Sequence, residues 1–356
     1  MTMKIGLGLY RHMLTKDNFR FAKQAGCTHI IAHMVNYFAG ELLHGTDETR
    51  TWGISNNQDN LWSEEELLDI KTRINNEGLE LEAIENFDPS HWYDILLDGP
   101  KRAEQIENIK TIIRRMGKIG IPVMGYNFSI AGVWGHVNGP YARGGAESVG
   151  FLGVDGPNET PIPNGQIWNM VYDPDAEAGQ AQPVSSEELW RRHSAFLKEI
   201  VPVAEESGVR MAAHPDDPPT PTLRGHGRLV NQPHLYQKIL DAYPSHYNAM
   251  EFCLGTLQEM SQGDIYETTD IYSKQNALAY VHFRNVKGKV PSYREVFIDE
   301  GDIDMVKILR ILHKNGYNGV LIPDHTPQMT CDAPWHAGMA YAIGYMKGAM
   351  QIVENE

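Results

Sequence analysis

Four short segments in the second half of the chain each end an apolar, strand-like run on a residue that can bind a metal ion. They are Met211-Ala212-Ala213-His214, Met250-Glu251-Phe252-Cys253, Tyr280-Val281-His282 and Leu321-Ile322-Pro323-Asp324. Imidazole, thiolate and carboxylate donors together suit Mn, Fe, Co or Zn, whereas Mg and Ca prefer oxygen ligands. A buried Cys or a hydrogen-bonded His is common in any core, so no single residue is decisive. The four strand ends together predict a metal-centred active site.

Further polar residues lie at or beside predicted strand ends, and they are candidate substrate ligands. Glu85 and Asn127 end two earlier strands, and Arg284 follows His282 by two residues. Arginine holds a carboxylate in a bidentate geometry, which favours a negatively charged, polyhydroxylated ligand. A salt bridge from Arg284 to Glu85 or to another strand-end acid is an equally good interpretation of the same residue.

Two turns next to the predicted ligands carry more titratable groups. The turn that follows His214 contains prolines that make it rigid, and its Asp216 and Asp217 either orient the imidazole or cap a solvated turn. Asp324 is followed directly by His325. That pair is either a metal ligand with a catalytic base or the N-cap of a helix.

These residues need a scaffold that brings distant strand ends together. Eight apolar runs alternate with longer amphipathic stretches, which is typical of repeated βα units and a parallel sheet. The predicted strands span residues 4–10, 28–33, 79–85, 122–127, 210–214, 249–253, 278–284 and 319–324. The predicted helices span residues 16–25, 63–76, 103–116, 186–207, 234–242, 303–315 and 336–353, with capping serines expected at Ser63 and Ser186. In a (β/α)8 barrel the C-terminal ends of the strands meet at one mouth. The sequence therefore predicts the α/β class and a single TIM-barrel domain over residues 1–356.

Two connections are too long to be simple βα loops. Residues 36–62 are polar, and residues 128–184 are rich in Gly and Pro, with turn signals at Asn138-Gly139-Pro140 and Asp155-Gly156-Pro157. Long loops of this kind are usually functional, and both follow predicted strands, so we expect them at the C-terminal face. The second is predicted to be a lid-like insertion, an oligomer arm or both.

Charge and cysteine content narrow the class of partners. The chain has 46 acidic residues against 31 Lys and Arg, a formal net charge of −15, which repels nucleic acids and anionic membrane surfaces. Cys27, Cys253 and Cys331 are too few and too scattered for a disulfide framework. No signal-peptide pattern and no apolar stretch of roughly 20 residues is present. We expect a soluble, cytoplasmic homodimer or higher homo-oligomer that acts on a small anionic substrate.

Several segments also closely resemble the mannonate dehydratase family. The resemblance lies in residues 202–211, residues 213–219, Tyr126-Asn127-Phe128, Cys253, His282-Phe283-Arg284, residues 301–305 and Pro323-Asp324-His325. It covers nearly the whole chain, and the His-Pro-Asp-Asp-Pro-Pro run is quite specific. The resemblance implies a barrel of the xylose-isomerase-like type that uses Mn²⁺ or Fe²⁺ to remove water from D-mannonate, giving 2-keto-3-deoxygluconate.

The resemblance also implies roles for individual residues. By this likeness the metal ligands are His214, Cys253, His282 and Asp324. His325 becomes a catalytic acid/base. The family tends to carry a Gly-Tyr pair after its Asp-His motif, whereas the corresponding stretch here is Pro334-Trp335-His336. The family's Asp-His-Gly-His stretch is also altered, to Asp324-His325-Thr326-Pro327. A different aldonate therefore stays open as the substrate.

The reaction expected from these parts is a β-elimination. His325 would remove the C2 proton of an aldonate, and His336 or Tyr126 would protonate the departing C3 hydroxyl. The alternative is a metal-dependent sugar isomerase or epimerase, but such enzymes usually lean on Glu and Asp ligands and a catalytic Lys. Cys253 and Arg284 therefore favour the dehydratase. A third interpretation, a catalytically silent binding protein, predicts that His325→Ala leaves ligand affinity intact.

Overall fold

The computed structural model describes residues 3–37, 53–55, 61–153 and 159–356. Its strands are β1 (Lys4–Leu9), β2 (His29–Ala32), β3 (Gly53–Ile54), β4 (Glu80–Glu85), β5 (Val123–Tyr126), β6 (His136–Ala142), β7 (Ala146–Leu152), β8 (Gln166–Ile167), β9 (Met170–Val171), β10 (Arg210–Ala213), β11 (Thr222–Leu223), β12 (His226–Gly227), β13 (Asn248–Cys253), β14 (Leu278–His282), β15 (Asn285–Lys289), β16 (Ser292–Val296) and β17 (Val320–Ile322). Its α-helices are α1 (Lys16–Ala25), α2 (Glu64–Asn75), α3 (Pro89–Leu97), α4 (Arg102–Ile119), α5 (Ser186–Ser207), α6 (Leu235–Ala242), α7 (Leu254–Glu259), α8 (Ile265–Lys274), α9 (Met305–Lys314) and α10 (Pro334–Asn355).

Eight of these strands form a closed parallel barrel, in the order β1-β17-β14-β13-β10-β5-β4-β2. They are the eight strands predicted from the sequence, with ends that differ by no more than two residues. The prediction of an α/β barrel is therefore confirmed. Parallel pairing in this order brings the C-terminal ends of β10, β13, β14 and β17 side by side.

The barrel interior is lined by small and β-branched residues. Its apolar layer consists of Ile31, Ala83, Val123, Ala212, Ala249, Ala279, Tyr280, Val320 and Ile322. A much larger apolar core fills the space between the strands and the surrounding helices. Because side chains alternate along a strand, inward residues recur every second position, and the inward series ends at the C-terminal mouth.

Helix starts follow the capping chemistry expected from the sequence, with one correction. Ser63 accepts a hydrogen bond from the backbone N–H of Glu66 at the start of α2. The cap of α5 is Ser185 and not Ser186, and its hydroxyl accepts from the backbone N–H of Glu188. Helices α3, α7 and α8 were not predicted. Eight of the nine residues of α3 are buried, so it lacks an amphipathic pattern, and α7 has only six residues.

The long second connection builds sheet structure of its own. Strands β6 and β7 form an antiparallel hairpin that joins β15 and β16 in a four-stranded sheet. The turn predicted at Asn138-Gly139-Pro140 is wrong, because those residues belong to β6 and the chain reverses at Arg143–Gly145. The register shifts between Gly139 and Ala142, and a bulge of this kind accommodates Pro140 within a strand. The predicted turn at residues 155–157 and most of residues 36–62 lie outside the described residues.

The thiols of Cys27, Cys253 and Cys331 are all free. Cys27 and Cys253 are buried, whereas Cys331 is exposed. Within the described ranges, no helix combines the length and the apolar character that crossing a membrane requires.

Candidate metal centre

Three of the four predicted metal ligands form one compact cluster at the barrel mouth. One donor atom from each of His214, Cys253 and His282 lies within 4.8 Å of the others. Cys253 and His282 are paired residues at the ends of β13 and β14, and His214 directly follows β10. The strand-end argument therefore holds for these three side chains, because adjacent parallel strands end at the same level.

Asp324 follows β17 with a backbone that few residues adopt. Its φ is 60°, in the left-handed region that Asp tolerates better than most non-glycine residues. Its Oδ2 atom lies 3.2 Å from Nδ1 of His282 and 3.2 Å from Nε of Arg284. Asp324 is thus beside the cluster and touches His282, although it lies outside the three-residue group.

The ring of His214 is fixed by a backbone carbonyl. Its Nδ1 lies 2.6 Å from the carbonyl oxygen of Pro215. A carbonyl only accepts hydrogen bonds, so Nδ1 carries the proton and Nε2 is left to bind a metal. Asp216 and Asp217 do not orient this ring. Asp216 accepts from two backbone N–H groups beyond residue 228, and Asp217 accepts from Arg284.

The Cys253 thiol lies in an environment that favours the thiolate. Burial raises its pKa, but Arg284 and the imidazoles of His214 and His282 outweigh that effect and hold the pKa well below its usual range. The hydroxyl of Thr256 lies 3.2 Å from the sulfur as a hydrogen-bond donor. A thiolate is the form of cysteine that binds metals.

His282 shows most directly that the donor set fits a cation. Within the described part of the chain, neither ring nitrogen has a hydrogen-bond partner of good geometry, although the residue is only 2% exposed. Its Nε2 lies 3.2 Å from Glu251 and 3.4 Å from Glu85, and these three residues form a second compact donor group. Buried ring nitrogens that make no well-aligned hydrogen bond, and that lie beside a thiolate and carboxylates, suit a divalent ion.

Glu251 is a site residue that the sequence analysis missed. It is 1% exposed and lines the central cavity. Burial and the neighbouring carboxylate of Glu85 raise the pKa of Glu251 to about 8. The sequence contains the pattern that would have identified Glu251, because it lies two residues before Cys253 on one strand and therefore faces the same side.

Arg284 is surrounded by acids. Its guanidinium lies 2.6 Å from Asp217, 2.8 Å from Glu259, and 3.2 Å from both Glu295 and Asp324. Of the two interpretations made from the sequence, the structure shows the ion pair with strand-end and loop acids, not with Glu85. Arg284 also lines the cavity, so its positive charge contributes to the electrostatic potential inside it.

A cavity of about 620 Å³ lies above the cluster at the barrel mouth. Three predicted substrate ligands, Glu85, Asn127 and Arg284, line it, as does His325. Among the described residues that line it, Arg284 is the sole Lys or Arg. The insertion contributes part of the wall through residues 133–136, Asn138, Val149 and residues 168–169. This volume is in the range of small-molecule sites.

His325 is placed at the edge of the cavity between two carboxylates. Its Nδ1 lies 3.0 Å from Oε1 of Glu295, and its Nε2 lies 3.7 Å from Oδ1 of Asp324. Burial lowers the pKa of His325, but the two carboxylates outweigh it and raise the pKa to about 10. Glu295, on β16, is a second residue that the sequence analysis missed.

The structure does not bring Tyr126 or His336 to the cavity. Gly125 faces the barrel interior beside Tyr280 and Glu251, so Tyr126 points outward, and its hydroxyl lies 3.0 Å from Nε2 of His193 on α5. Burial raises the pKa of Tyr126. His336 lies at the start of α10, with Nε2 3.0 Å from Oδ1 of Asn18.

Comparisons with known proteins give one consistent family. A family model described as D-mannonate dehydratase (UxuA) matches residues 23–151 and 175–356. The mannonate dehydratase of Streptococcus pneumoniae is 34% identical over 275 residues, covering 74% of this chain and 74% of its own. Mannonate dehydratase 2 of Halalkalibacterium halodurans is 30% identical over 275 residues, covering 74% of this chain and 79% of its own.

Solved structures agree with the sequence relatives. The crystal structure of mannonate dehydratase from Streptococcus suis serotype 2 matches with a TM-score of 0.78 at 27% identity, covering 99% of this chain and 94% of that one. An L-ribulose 3-epimerase matches with a TM-score of 0.56 at 13% identity, covering 99% of this chain and 96% of that one. At that identity the epimerase shares the fold alone.

Proposed function

Because the chain belongs to the D-mannonate dehydratase family, we propose that the cluster at its barrel mouth is the metal centre of a hydro-lyase. The protein is a metal-dependent sugar-acid dehydratase that acts on D-mannonate. Its product is 2-keto-3-deoxy-D-gluconate. The roles assigned below to individual residues, the identity of the metal and the assembly are our proposals.

The proposed ligands are Nε2 of His214, the thiolate of Cys253, the ring of His282 and the carboxylate of Asp324. The observation that carries this assignment is the cluster of donor atoms from His214, Cys253 and His282 within 4.8 Å, in which Cys253 and His282 are buried. A divalent ion held by these residues would supply Lewis-acid polarisation of substrate oxygens. We propose Mn²⁺ or Fe²⁺ as the native ion, since imidazole, thiolate and carboxylate donors suit these metals.

Cavity residues hold the substrate in this proposal. Glu85, at the end of β4, accepts hydrogen bonds from substrate hydroxyls, and the amide of Asn127, after β5, can both donate and accept them. Arg284 keeps a positive charge at the base of the cavity while its pairs with Asp217 and Asp324 fix its position. A rigid, already paired Arg284 loses little side-chain freedom when the anionic substrate arrives.

His325 moves the proton in the proposed elimination. The C2 proton passes to a base, a proton is delivered to the C3 hydroxyl so that it departs as water, and the C2–C3 enol that is formed tautomerises to the 2-keto-3-deoxy acid. An imidazole at the cavity edge is placed for such a transfer. Nδ1 of His325 faces Glu295, so Nε2 is the nitrogen that remains for the substrate. Tyr126 and His336 are not assigned a role in the transfer, because their side chains face α5 and α1 instead of the cavity.

Two expectations about the molecule as a whole remain proposals. We propose that residues 1–356 form one TIM-barrel domain, since residues 133–136 and 168–169 of the insertion line the same cavity as the barrel strands. The homodimer or higher homo-oligomer expected from the sequence stays a prediction. Size-exclusion chromatography with light scattering measures the mass that decides it.

The substrate is tested with a panel of aldonates. Metal-free protein is reconstituted with Mn²⁺, and formation of 2-keto-3-deoxy acid is measured against D-mannonate and its stereoisomers. We expect turnover of D-mannonate that is lost with a chelator and restored by Mn²⁺. Product from another aldonate alone would overturn the substrate, and no product from any aldonate despite bound metal would overturn the dehydratase mechanism.

A further inference from the structure

Glu295 reaches the barrel mouth from outside the barrel. It lies on β16, a strand of the four-stranded antiparallel sheet to which the insertion contributes β6 and β7, and it is 6% exposed. Its Oε1 atom lies 3.0 Å from Nδ1 of His325 and 3.2 Å from Nη1 of Arg284. The side chain of Glu295 therefore extends from β16 to a histidine at the cavity edge, and this contact suggests a role in the site as well as in packing.

The β6–β7 hairpin holds this contact from two sides. The hydroxyl of Ser148 on β7 donates to the backbone carbonyl of Glu295 at 2.8 Å. The backbone N–H of Gln328, three residues after His325, donates to the carbonyl of Glu147 at 2.8 Å. One short strand therefore touches both the residue that contacts His325 and the segment that follows His325.

The contact fixes which ring nitrogen of His325 faces Glu295. An ionised carboxylate only accepts hydrogen bonds, and that of Glu295 lies between Nδ1 of His325 and the guanidinium of Arg284. Nδ1 therefore carries the proton that faces Glu295, and Nε2 is the other nitrogen. A carboxylate behind a histidine in this way fixes both the ring orientation and the nitrogen that reacts.

We propose that Glu295 is a positioning residue that holds His325 with Nε2 toward the substrate, and that the β6–β7 hairpin supports this contact. The inference rests on the proposed role of His325 in proton transfer. The hairpin then has two tasks, because Asn138 and Val149 also line the cavity. The insertion bounds the substrate and also sets the proton-transfer group.

The test is a double-mutant cycle between Glu295→Gln and His325→Asn. Gln keeps the size of the side chain and removes its charge. We expect Glu295→Gln to lower kcat by about 10- to 100-fold with a much smaller change in KM. In the His325→Asn background, the same substitution is expected to change kcat little, since the two residues act as a unit.

Glu147→Gln is the matched control. Glu147 is on the same sheet, its side chain is exposed and only its backbone carbonyl contacts Gln328, so kcat is expected to remain at the wild-type value.

Ser148→Ala is the second variant, since it leaves the contacts of the Glu295 carboxylate with His325 and Arg284 in place and removes only the hydrogen bond from Ser148 to the backbone of Glu295. It is expected to lower kcat by roughly a few fold. Unfolding midpoints and metal content are measured for every variant, and if Glu295→Gln does not fold, Ser148→Ala decides.

Two results would overturn the inference while leaving the proposed function in place. These are a wild-type kcat in folded Glu295→Gln, or an equal loss of kcat from that substitution with and without His325. A wild-type kcat in His325→Asn would instead overturn the proposed role of His325 and the inference with it. If Glu295→Gln does not fold, a wild-type kcat in Ser148→Ala overturns the inference.

Discussion

At the scale of single residues, Cys253 gives the clearest test of the metal site, because a metal-binding thiolate and an ordinary buried thiol respond differently to substitution. We predict that Cys253→Ser weakens divalent metal binding by roughly 100-fold or more, since loss of a ligand should exceed the 10- to 100-fold typical of outer partners. Competition with a fluorescent chelator measures the affinity. Cys331→Ser is the control, because Cys331 is exposed and lies away from the cluster. Unchanged metal affinity in Cys253→Ser would exclude the thiolate as a ligand.

A second residue-scale prediction separates the three groups that the sequence suggested for proton transfer. His325→Asn should lower kcat by about 100-fold or more, the range of general acid/base catalysis. Tyr126→Phe and His336→Gln should keep kcat within about threefold of wild type, because these side chains contact His193 and Asn18. Steady-state kinetics on D-mannonate give the comparison. A large loss of kcat in Tyr126→Phe or His336→Gln, with folding intact, would return that residue to the mechanism.

At the scale of elements, strand alternation explains what sequence reasoning found and what it missed. The four strand ends were predictable because apolar runs end visibly where donors begin. Tyr126 was predicted at the mouth, yet Gly125 faces the interior, so the next residue must face the helices. The same period of two places Glu251 beside Cys253. Both corrections follow from local geometry that was present in the sequence.

Glu295 is a different case, since no local pattern could have found it. Its position depends on the pairing of β16 with β7, and it bonds through its carbonyl to Ser148, 147 positions earlier. Contacts of such long range are not encoded in the composition or periodicity of either segment. The strand at Asn138-Gly139-Pro140 could not be predicted for the same reason. Those residue types favour turns, and here they form a strand because they pair with β7.

Strand β5 offers a test of how tightly the barrel interior is packed. An added methyl group at Gly125 would collide with the Tyr280 hydroxyl and the Glu251 carboxylate. We predict that Gly125→Ala lowers the free energy of unfolding by about 1–3 kcal/mol, the usual cost of overpacking. Gly348→Ala, in α10 with open space around it, should raise it by about 0.5–1 kcal/mol. Urea denaturation measures both, and equal effects of the two substitutions would contradict the packing argument.

The contact between β5 and α5 predicts a pH dependence of stability. Burial lowers the pKa of His193 to about 3. Between pH 6.5 and about pH 3 the unfolded chain therefore binds a proton that the folded chain does not, so stability falls as pH falls. This one group contributes a slope of about 1.4 kcal/mol per pH unit.

His193→Phe should remove that share of the slope, since Phe fits among Phe128 and Phe196 but cannot titrate. The free energy of unfolding of metal-free protein, measured at several pH values from 6.5 to 4.5, gives the two slopes. The variant also loses the bond to Tyr126, which changes the stability at every pH but not the slope. Identical slopes would show that His193 is not held neutral by burial.

At the scale of the whole molecule, an acidic chain places one fixed positive charge, that of Arg284, at the cavity that an anion must enter. The net charge is −15, yet the cavity contains Arg284 and several histidines. The guanidinium of Arg284 forms ion pairs with the carboxyl groups of four residues, which are Asp217, Glu259, Glu295 and Asp324. The donors of the cluster lie close together only in the folded chain, so we expect the metal to stabilise the folded protein as a whole.

Chelation should therefore destabilise the entire barrel. With free metal at about 100 times its Kd, binding to the folded state alone adds about 2.7 kcal/mol to the free energy of unfolding. We predict that a chelator removes this stabilisation from the wild type and has a much smaller effect on Cys253→Ser. Urea denaturation with and without chelator measures it. Equal midpoints for the wild type in both conditions would show that the cluster does not bind metal in the folded state.

The most direct measurement is X-ray absorption spectroscopy of the protein loaded with one equivalent of Zn²⁺, which reports the atoms bound to the ion. We predict one sulfur neighbour at about 2.3 Å together with nitrogen or oxygen neighbours at about 2.0–2.1 Å. In Cys253→Ser the sulfur neighbour should be absent while the lighter neighbours remain. A wild-type spectrum without sulfur, or a sulfur neighbour that persists in the variant, would contradict the metal centre described for this barrel.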